Sequence, residues 1–197
     1  MCRWSTGRPV DEWRLFVALG ELQGVLVTAD NYVEMIAATL GVSPEVATSI
    51  AARYPLSAYP SPAEALGAVG TDAIFACPAL TVNKTLSRFV PTYGYEFNDR
   101  DAPALLPPVS FPQGAAHATE LQYLFRLPIG GTLSPDQQRL ALTMRRLWTG
   151  FAATGTPSWP RFNPARQPLL SLVSPRPVVA TDFATTHQCG FWSAVTP

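Results

Sequence analysis

Apolar positions recur at helical spacing along much of the chain, and proline and glycine separate the runs. Apolar side chains three and four positions apart form one face of an amphipathic helix. The pattern predicts helices over Asp30–Leu40, Ser43–Tyr54 and Ser134–Gly155. The last two begin with a serine followed by proline, a typical helix start, and the third ends at a glycine, a typical helix stop.

A fourth helical region is predicted over Ala63–Arg88. Gly70 interrupts its apolar pattern, so we expect the region to divide there into two helices. Thr71 or Asp72 would cap the second helix, since short polar side chains accept hydrogen bonds from the first free backbone N–H groups.

Two segments have strand character. Phe89–Phe97 is rich in β-branched and aromatic residues, and Leu169–Val173 is a short apolar run, so each predicts a strand. The prolines of Asp101–Gly114 predict an extended, irregular path, and the polar segment 1–9 does not predict a strand. Strands and helices alternate only weakly, which indicates a mixed α/β, helix-rich fold. No repeat or composition shift divides residues 1–197, so one domain is expected.

Composition excludes several classes of protein. Apolar residues make up 47% and charged residues 14% of the 197 positions, which is unlike a disordered chain. The 14 basic and 14 acidic residues balance, so there is no basic surface for nucleic acid. The longest uncharged stretch, Ala102–Thr119, contains four prolines and cannot be a spanning helix. Asp11, Glu12 and Arg14 interrupt the amino-terminal region, so no signal peptide is predicted.

His117 is the strongest single candidate for chemistry. It lies among small residues in the segment Gly114-Ala115-Ala116-His117-Ala118, where the backbone can approach other elements closely. A general base needs such a position, and Glu120 lies close enough in sequence to orient a neighbouring group. The alternative is a half-buried loop histidine that bonds a backbone carbonyl.

An acidic pair, Asp11-Glu12, precedes the apolar run that contains Trp13, Leu15 and Phe16. Glu12 could orient the ring of a base and stabilise its charged form. Alternatively, both acids could simply begin a helix, where the helix dipole favours negative charge.

The remaining candidates are less specific. Cys77 and Cys189 could pair with each other or remain buried thiols. The three cysteines have no C-x-x-C spacing and the chain has two histidines, so no metal site is expected. Asn83-Lys84-Thr85 fits the N-glycosylation pattern, which a chain of this length also contains by chance.

Taken together, several ordered motifs resemble the carboxyl-terminal part of the type B carboxylesterases, the branch of the α/β-hydrolases that includes the cholinesterases. The resemblance extends over residues 10–192 and leaves segment 1–9 unmatched. The motifs that carry it, in chain order, are D-E-W-R-L-F at 11–16, T-D-A-I-F-A-C-P-A at 71–79, P-T-Y-G-Y-E-F-N at 91–98, G-A-A-H-A-T-E-L at 114–121, L-W-T-G-F-A-A-T-G-T-P at 147–157, W-P at 159–160 and H-Q-C-G-F-W at 187–192.

The resemblance implies a helix-rich, carboxyl-terminal portion of an α/β-hydrolase fold with an incomplete central sheet. It makes His117 the general base and Glu12 the acid of a Ser–Glu–His triad, and it makes Glu120 a buried carboxylate beside the site. It also implies a disulfide between Cys77 and Cys189, and hence a secreted parent protein. The implied substrate is a small carboxylic ester, with no cofactor.

The implied triad lacks its nucleophile. In α/β-hydrolases the serine precedes the acid and the histidine, and it lies in a G-x-S-x-G turn. The only serine before Glu12 is Ser5, and no G-x-S-x-G occurs in the 197 residues. Segment 1–9 resembles a point where a longer protein has been cut or its reading frame altered. We therefore expect a fragment that is inactive alone, and that self-associates or needs the absent amino-terminal half.

A second hypothesis belongs to a different class of protein. A carboxylesterase-like chain could have kept the fold as a non-catalytic module for protein recognition. The presence of both Glu12 and His117 argues against this alternative, because a binding module has no need of either. The localisation of the chain itself stays open.

Overall fold

The computed structural model describes residues 4–195. Within that range the strands are β1 (Trp4–Pro9), β2 (Thr92–Phe97), β3 (Leu169–Leu172) and β4 (Val178–Ala180). The α-helices are α1 (Arg14–Leu22), α2 (Tyr32–Leu40), α3 (Pro44–Arg53), α4 (Pro62–Gly70), α5 (Cys77–Leu86), α6 (Leu121–Leu124), α7 (Pro135–Thr154), α8 (Phe183–Thr186) and α9 (Cys189–Val195). A 3₁₀ turn spans Leu56–Ala58, and a π-helix spans Thr71–Ala76.

The strands form one mixed sheet in the order β1-β2-β3-β4. β1, β2 and β3 run parallel, and β4 is antiparallel to β3. Parallel neighbours need long crossover connections, which α1–α5 supply between β1 and β2 and α7 supplies between β2 and β3. The carboxyl ends of the three parallel strands therefore lie at one edge of the sheet, where side chains from separate loops can meet.

The predicted strands are confirmed, and the absence of a strand from segment 1–9 was wrong. Trp4–Pro9 pairs with β2 along its whole length, with Trp4 opposite Thr92 and Pro9 opposite Phe97. The polar side chains of this segment did not indicate a strand, because its pairing depends on backbone hydrogen bonds and on space for the Tyr95 ring of β2. A Cβ at Gly7 would lie 2.0 Å from the Tyr95 ring, so only glycine leaves room for that ring.

Local capping signals gave correct boundaries at α3 and α7, whereas the start predicted at Asp30 was wrong, since α2 begins at Tyr32 after an uncapped Asn31. The Ser43 side chain accepts a hydrogen bond from the backbone at the start of α3. Ser134 and Gln137 form a reciprocal capping box at the start of α7, and Gly155 ends that helix in the left-handed conformation, with φ of 66°. These ends were predictable because both partners of each cap lie within one turn.

The predicted division of Ala63–Arg88 is confirmed in its position, because α4 ends at Gly70, but the expected break and cap are absent. The backbone stays helical from Pro62 to Leu86, a run of 25 residues, because the π-helix joins α4 to α5. Neither Thr71 nor Asp72 caps a helix, since both bond to groups outside it. This run is long and apolar enough to cross a membrane, but 56% of its most apolar window is buried against the rest of the fold. It is a core helix of this structure.

Two apolar clusters stabilise the fold. One lies among α1–α5, α8 and α9, where Ile36, Ile50 and Tyr54 are fully buried. The other lies between the sheet and α7, where Phe97 and Leu140 are fully buried. A disulfide between Cys77 and Cys189, with Cα atoms 5.2 Å apart, ties α9 to the start of α5.

A glycine substitution tests the contact between α4 and the segment before α1. A Cβ at Gly70 would lie 2.2 Å from the Trp13 ring, so we expect Gly70→Ala to lower the free energy of unfolding by about 1–3 kcal/mol. Gly150 in α7 has open space around it. The control Gly150→Ala should raise the free energy of unfolding by about 0.4–1 kcal/mol. Urea unfolding measures both, and a Gly70→Ala variant as stable as Gly150→Ala would contradict the contact.

Candidate functional site

Glu12 and His117 meet at the carboxyl-terminal edge of the sheet. Glu12 follows β1 and His117 lies in the loop after β2, so the parallel pairing of these strands brings their ends together. The Nδ1 atom of His117 lies 2.6 Å from Oε2 of Glu12, and the His117 backbone N–H donates to the Glu12 carbonyl at 3.3 Å. We call these two residues the acid–base pair.

The two members differ in their access to solvent. Glu12 is 1% exposed, whereas the His117 side chain is 41% exposed. Glu12 precedes α1 and is not in its first turn, so the helix-start interpretation of this carboxylate was wrong. His117 binds a carboxylate through Nδ1, so the interpretation as a histidine bonded to a backbone carbonyl was also wrong. A buried carboxylate at Nδ1 favours the tautomer that leaves Nε2 as a proton acceptor.

An ion network around Asp11 fixes the loop that carries His117. The Asp11 backbone N–H donates to the Ala115 carbonyl at 3.0 Å, and the Ala115 N–H returns a bond to the Asp11 carboxylate at 3.2 Å. Arg14 and Arg100 approach the same carboxylate at 3.4 and 3.3 Å. Arg14 also donates to the Pro112 carbonyl, at the start of the loop. No local sequence pattern indicates this network, since its members are brought together only by the fold.

The loop backbone adopts left-handed conformations on both sides of His117. Gly114 has a φ of 64°, and a Cβ there would lie 2.5 Å from the Asp11 carboxylate. Ala118 adopts a φ of 67°, which is rare for a residue other than glycine. Such backbone conformations persist where the surrounding structure enforces them, and they are frequent at functional sites.

Three aromatic rings lie beside His117. Phe16 and Phe75 have ring centroids 5.6 and 5.9 Å from the imidazole, and Trp13 packs on Phe16 at 4.5 Å. The exposed ring of His117 therefore has an apolar wall.

The predicted second carboxylate, Glu120, is partly buried and lies at the start of α6, one turn beyond His117. Its role beside the site stays a prediction.

The second histidine forms a buried cluster that the sequence did not indicate. The Nδ1 atom of His187 lies 2.5 Å from Asp72, and its Nε2 atom lies 2.7 Å from Glu96. The other Asp72 oxygen accepts from the Tyr54 hydroxyl at 2.7 Å. We call these four residues the His187 cluster. Burial of the ring opposes its charge, but the bonds to the two carboxylates outweigh burial and raise the pKa of His187 to about 9.

This raised pKa predicts that stability falls with rising pH. Below pH of about 6.5 the ring is charged in both folded and unfolded chains, so its contribution is complete. As pH rises from about 6.5 to about 9 the unfolded chain loses the proton first, and about 3 kcal/mol of stability should be lost. Urea unfolding at pH 6 and pH 9 measures the difference. His187→Gln should flatten the pH profile, and an equally flat wild-type profile would contradict the assignment.

The glycosylation pattern and the cysteines can also be compared with the described residues. Asn83 of the glycosylation pattern is 2% exposed within α5, so the folded chain does not present it as an acceptor. Cys2 lies outside the described residues. In residues 4–195, no three His, Cys, Asp or Glu side chains converge as a metal site.

Comparisons with known proteins show which family this chain resembles. The carboxylesterase family matches residues 23–192, which is most of the chain and begins after Glu12. Acetylcholinesterase of Bungarus fasciatus is 29% identical over 68% of this chain and 23% of its own length. Acetylcholinesterase of Gallus gallus is 28% identical over 68% of this chain and 18% of its own. Bile salt-activated lipase of Mus musculus is 33% identical over 45% of this chain and 15% of its own.

The chain thus spans about a fifth of the length of the curated relatives it matches. The family implies an α/β-hydrolase fold, and the parallel strands β1–β3 with their helical crossovers have the corresponding organisation. The disulfide that the resemblance implied is present. From the extent of the match, the chain belongs to the carboxylesterase family.

Proposed function

We propose that this chain forms the acid–base part of a carboxylic-ester hydrolase. The observation that carries the proposal is the 2.6 Å contact between Nδ1 of His117 and the buried carboxylate of Glu12. A carboxylate at Nδ1 orients the ring and stabilises the imidazolium that forms during catalysis. The family match supports an ester as the substrate.

The proposed reaction uses Nε2 of His117. It accepts the proton of a serine hydroxyl as that oxygen attacks the ester carbonyl, and the resulting imidazolium is stabilised by Glu12. His117 then gives the proton to the departing alkoxide, which leaves as the alcohol and creates an acyl-serine. Water, deprotonated by the same ring, attacks the acyl-serine, and the acid leaves as the serine recovers its proton.

The serine comes from polypeptide outside these residues. The 197 residues contain no G-x-S-x-G turn. Among the described strands β1 has β2 as its one neighbour, so its other edge offers backbone groups to a further strand. We propose that a serine-bearing segment docks there. The residues described here are then inactive by themselves, because an acyl-enzyme cannot form without an activated hydroxyl.

The test compares the chain alone with the chain joined to an amino-terminal carboxylesterase segment that carries a G-x-S-x-G turn. We expect the chain alone to hydrolyse p-nitrophenyl acetate no faster than an equimolar amount of free imidazole. The joined protein should turn over, and His117→Ala should abolish this activity. Thr149→Ala, on the exposed surface of α7, is the control and should keep full activity.

Two outcomes would overturn the proposal. One is turnover by the chain alone well above the rate of free imidazole and abolished by His117→Ala, which would require a second nucleophile within these residues. The other is a joined, folded protein that binds a specific protein partner, with or without His117, and shows no hydrolysis. That result would favour the non-catalytic recognition module.

A further inference from the structure

One short segment contacts both the acid–base pair and the His187 cluster. The π-helix Thr71–Ala76 lies between α4 and α5 in the continuous helical run. Single turns of π-helix inside α-helices are rare and are frequent at functional sites. Within this segment, Asp72 contacts His187 and Phe75 contacts His117.

On one side, the segment is held by a buried ion pair. Asp72 bonds His187 at 2.5 Å, and His187 bonds Glu96 of β2 at 2.7 Å. The Tyr54 hydroxyl, from the end of α3, donates to the second oxygen of Asp72, and the Trp192 indole of α9 donates to that hydroxyl at 2.6 Å.

The charged and titratable groups that face His187 come from several elements. Asp72 on the π-helix and Glu96 on β2 bond it directly. Tyr54 and Tyr59 lie close enough to Asp72 for its charge to raise the pKa of both phenols, beyond the larger effect of burial. Asp72 is thus held by His187 and by the Tyr54 hydroxyl, while Glu96 bonds the other side of the His187 ring.

On the other side, the segment touches the residues around the acid–base pair. The Thr71 hydroxyl accepts a hydrogen bond at 2.9 Å from the backbone N–H of Trp13, the residue after Glu12. The Trp13 ring packs against Gly70, immediately before the π-helix. Phe75 places its ring 5.9 Å from the His117 imidazole. A displacement of the segment would therefore move the backbone that carries Glu12 and the apolar wall beside His117.

We infer that His187 is a positioning residue for the acid–base pair, acting through Asp72 and the π-helix. The inference rests on the proposed function for its catalytic meaning. His187 does not touch the reacting atoms. Its charged ring holds Asp72, and the adjacent Thr71 in turn holds Trp13, so that Glu12 stays within bonding distance of Nδ1. Loss of one His187 proton leaves a single N–H for two carboxylates, Asp72 and Glu96. The hold on Asp72 then weakens, and the bond between Glu12 and Nδ1 of His117 lengthens.

Nuclear magnetic resonance of this chain tests the inference without turnover. The Nδ1 proton of His117, bonded to a buried carboxylate, should give a resonance far downfield. In the wild type this resonance should shift upfield at the pH where the His187 ring titrates. His187→Gln should move it upfield at every pH and remove that inflection. Tyr54→Phe, a milder change in the same cluster, should move it in the same direction.

Tyr123→Phe is the matched control. Tyr54 and Tyr123 are both fully buried, and both donate to an aspartate at 2.7 Å. Tyr123 bonds Asp99 and lies in the cluster beneath α7, so Tyr123→Phe should leave the His117 resonance unchanged at a comparable loss of stability. A general effect of destabilisation would move the resonance in both tyrosine variants.

Several results would overturn the inference. One is a His117 resonance unchanged in folded His187→Gln and in Tyr54→Phe. Should His187→Gln fail to fold, Tyr54→Phe and the wild-type titration decide. A wild-type His117 resonance with no inflection at the pH where His187 titrates contradicts the coupling. A wild-type chain without the downfield resonance also contradicts it, because the acid–base pair would not be formed.

The joined, serine-bearing protein separates this inference from the proposed function. A His117 resonance that responds to His187, in a joined protein without ester hydrolysis, overturns the proposed function and leaves the positioning intact. Hydrolysis whose kcat is unchanged by His187→Gln overturns the positioning and leaves the function intact. When both hold, His187→Gln should lower kcat with KM unchanged.

Discussion

Glu12→Gln is expected to lower kcat of the joined, serine-bearing protein by about 10⁴-fold, the scale seen when a triad carboxylate becomes an amide. The substitution preserves size, so the loop geometry should survive. An amide donates as well as accepts, however, and it favours the His117 tautomer with the proton on Nε2. That tautomer cannot accept the serine proton. Steady-state hydrolysis of p-nitrophenyl acetate measures the loss.

Glu21, a second glutamate nine positions after Glu12, provides the control. Glu21 is on α1, and it bonds the Ser110 backbone and hydroxyl at 2.6 and 2.7 Å. Glu21→Gln should therefore cost some stability but keep kcat within about twofold, since a polar surface change leaves the reacting groups in place. A loss in Glu12→Gln no larger than in Glu21→Gln would remove the basis for the triad.

Removal of the disulfide has the largest expected effect on stability. Cys77 and Cys189 are 112 residues apart, and in the chain-entropy model a cross-link of that span contributes about 4–5 kcal/mol by restricting the unfolded chain. The double variant Cys77→Ser/Cys189→Ser should therefore lose a large part of the roughly 5–15 kcal/mol that stabilises a typical native protein. Urea unfolding under oxidising conditions provides the comparison.

Cys2→Ser is the control for this prediction, because it leaves the Cys77–Cys189 bond in place. A reducing agent should lower the stability of the wild type and of Cys2→Ser alike, with no further effect on the double variant. A double variant within about 1 kcal/mol of the wild type would show that the native packing alone holds α9 in place.

The elements that the sequence predicted well are those with local causes. The ends of α7 follow from Ser134, Gln137 and Gly155, all of which act within a turn of the helix they bound. Strand β2 follows from its own β-favouring side chains. Strand β1 has no such local signal, because it exists through its pairing with β2 some 90 positions later.

The same distinction applies to the site. His117 and Glu12 could be proposed from residue type and family resemblance, and the structure brings them together. The role of Asp11 as an anchor for the His117 loop depends on contacts with residues about 100 positions away. Asp72 was expected to cap a helix because its type and its place after a glycine fit that role. Its partner, His187, lies 115 positions further on, where no local pattern can indicate the contact.

The buried Asn83 has a consequence for how this chain can be produced. In the folded chain the Asn83 side chain, on α5, is buried. Before folding, during synthesis and translocation, Asn83-Lys84-Thr85 is accessible. An oligosaccharide attached at that moment could not fit into the closed core. Hosts that add such sugars during translocation should therefore yield misfolded material from any chain modified there. Bacterial hosts, or Thr85→Ala at an exposed position of the same pattern, would avoid that loss.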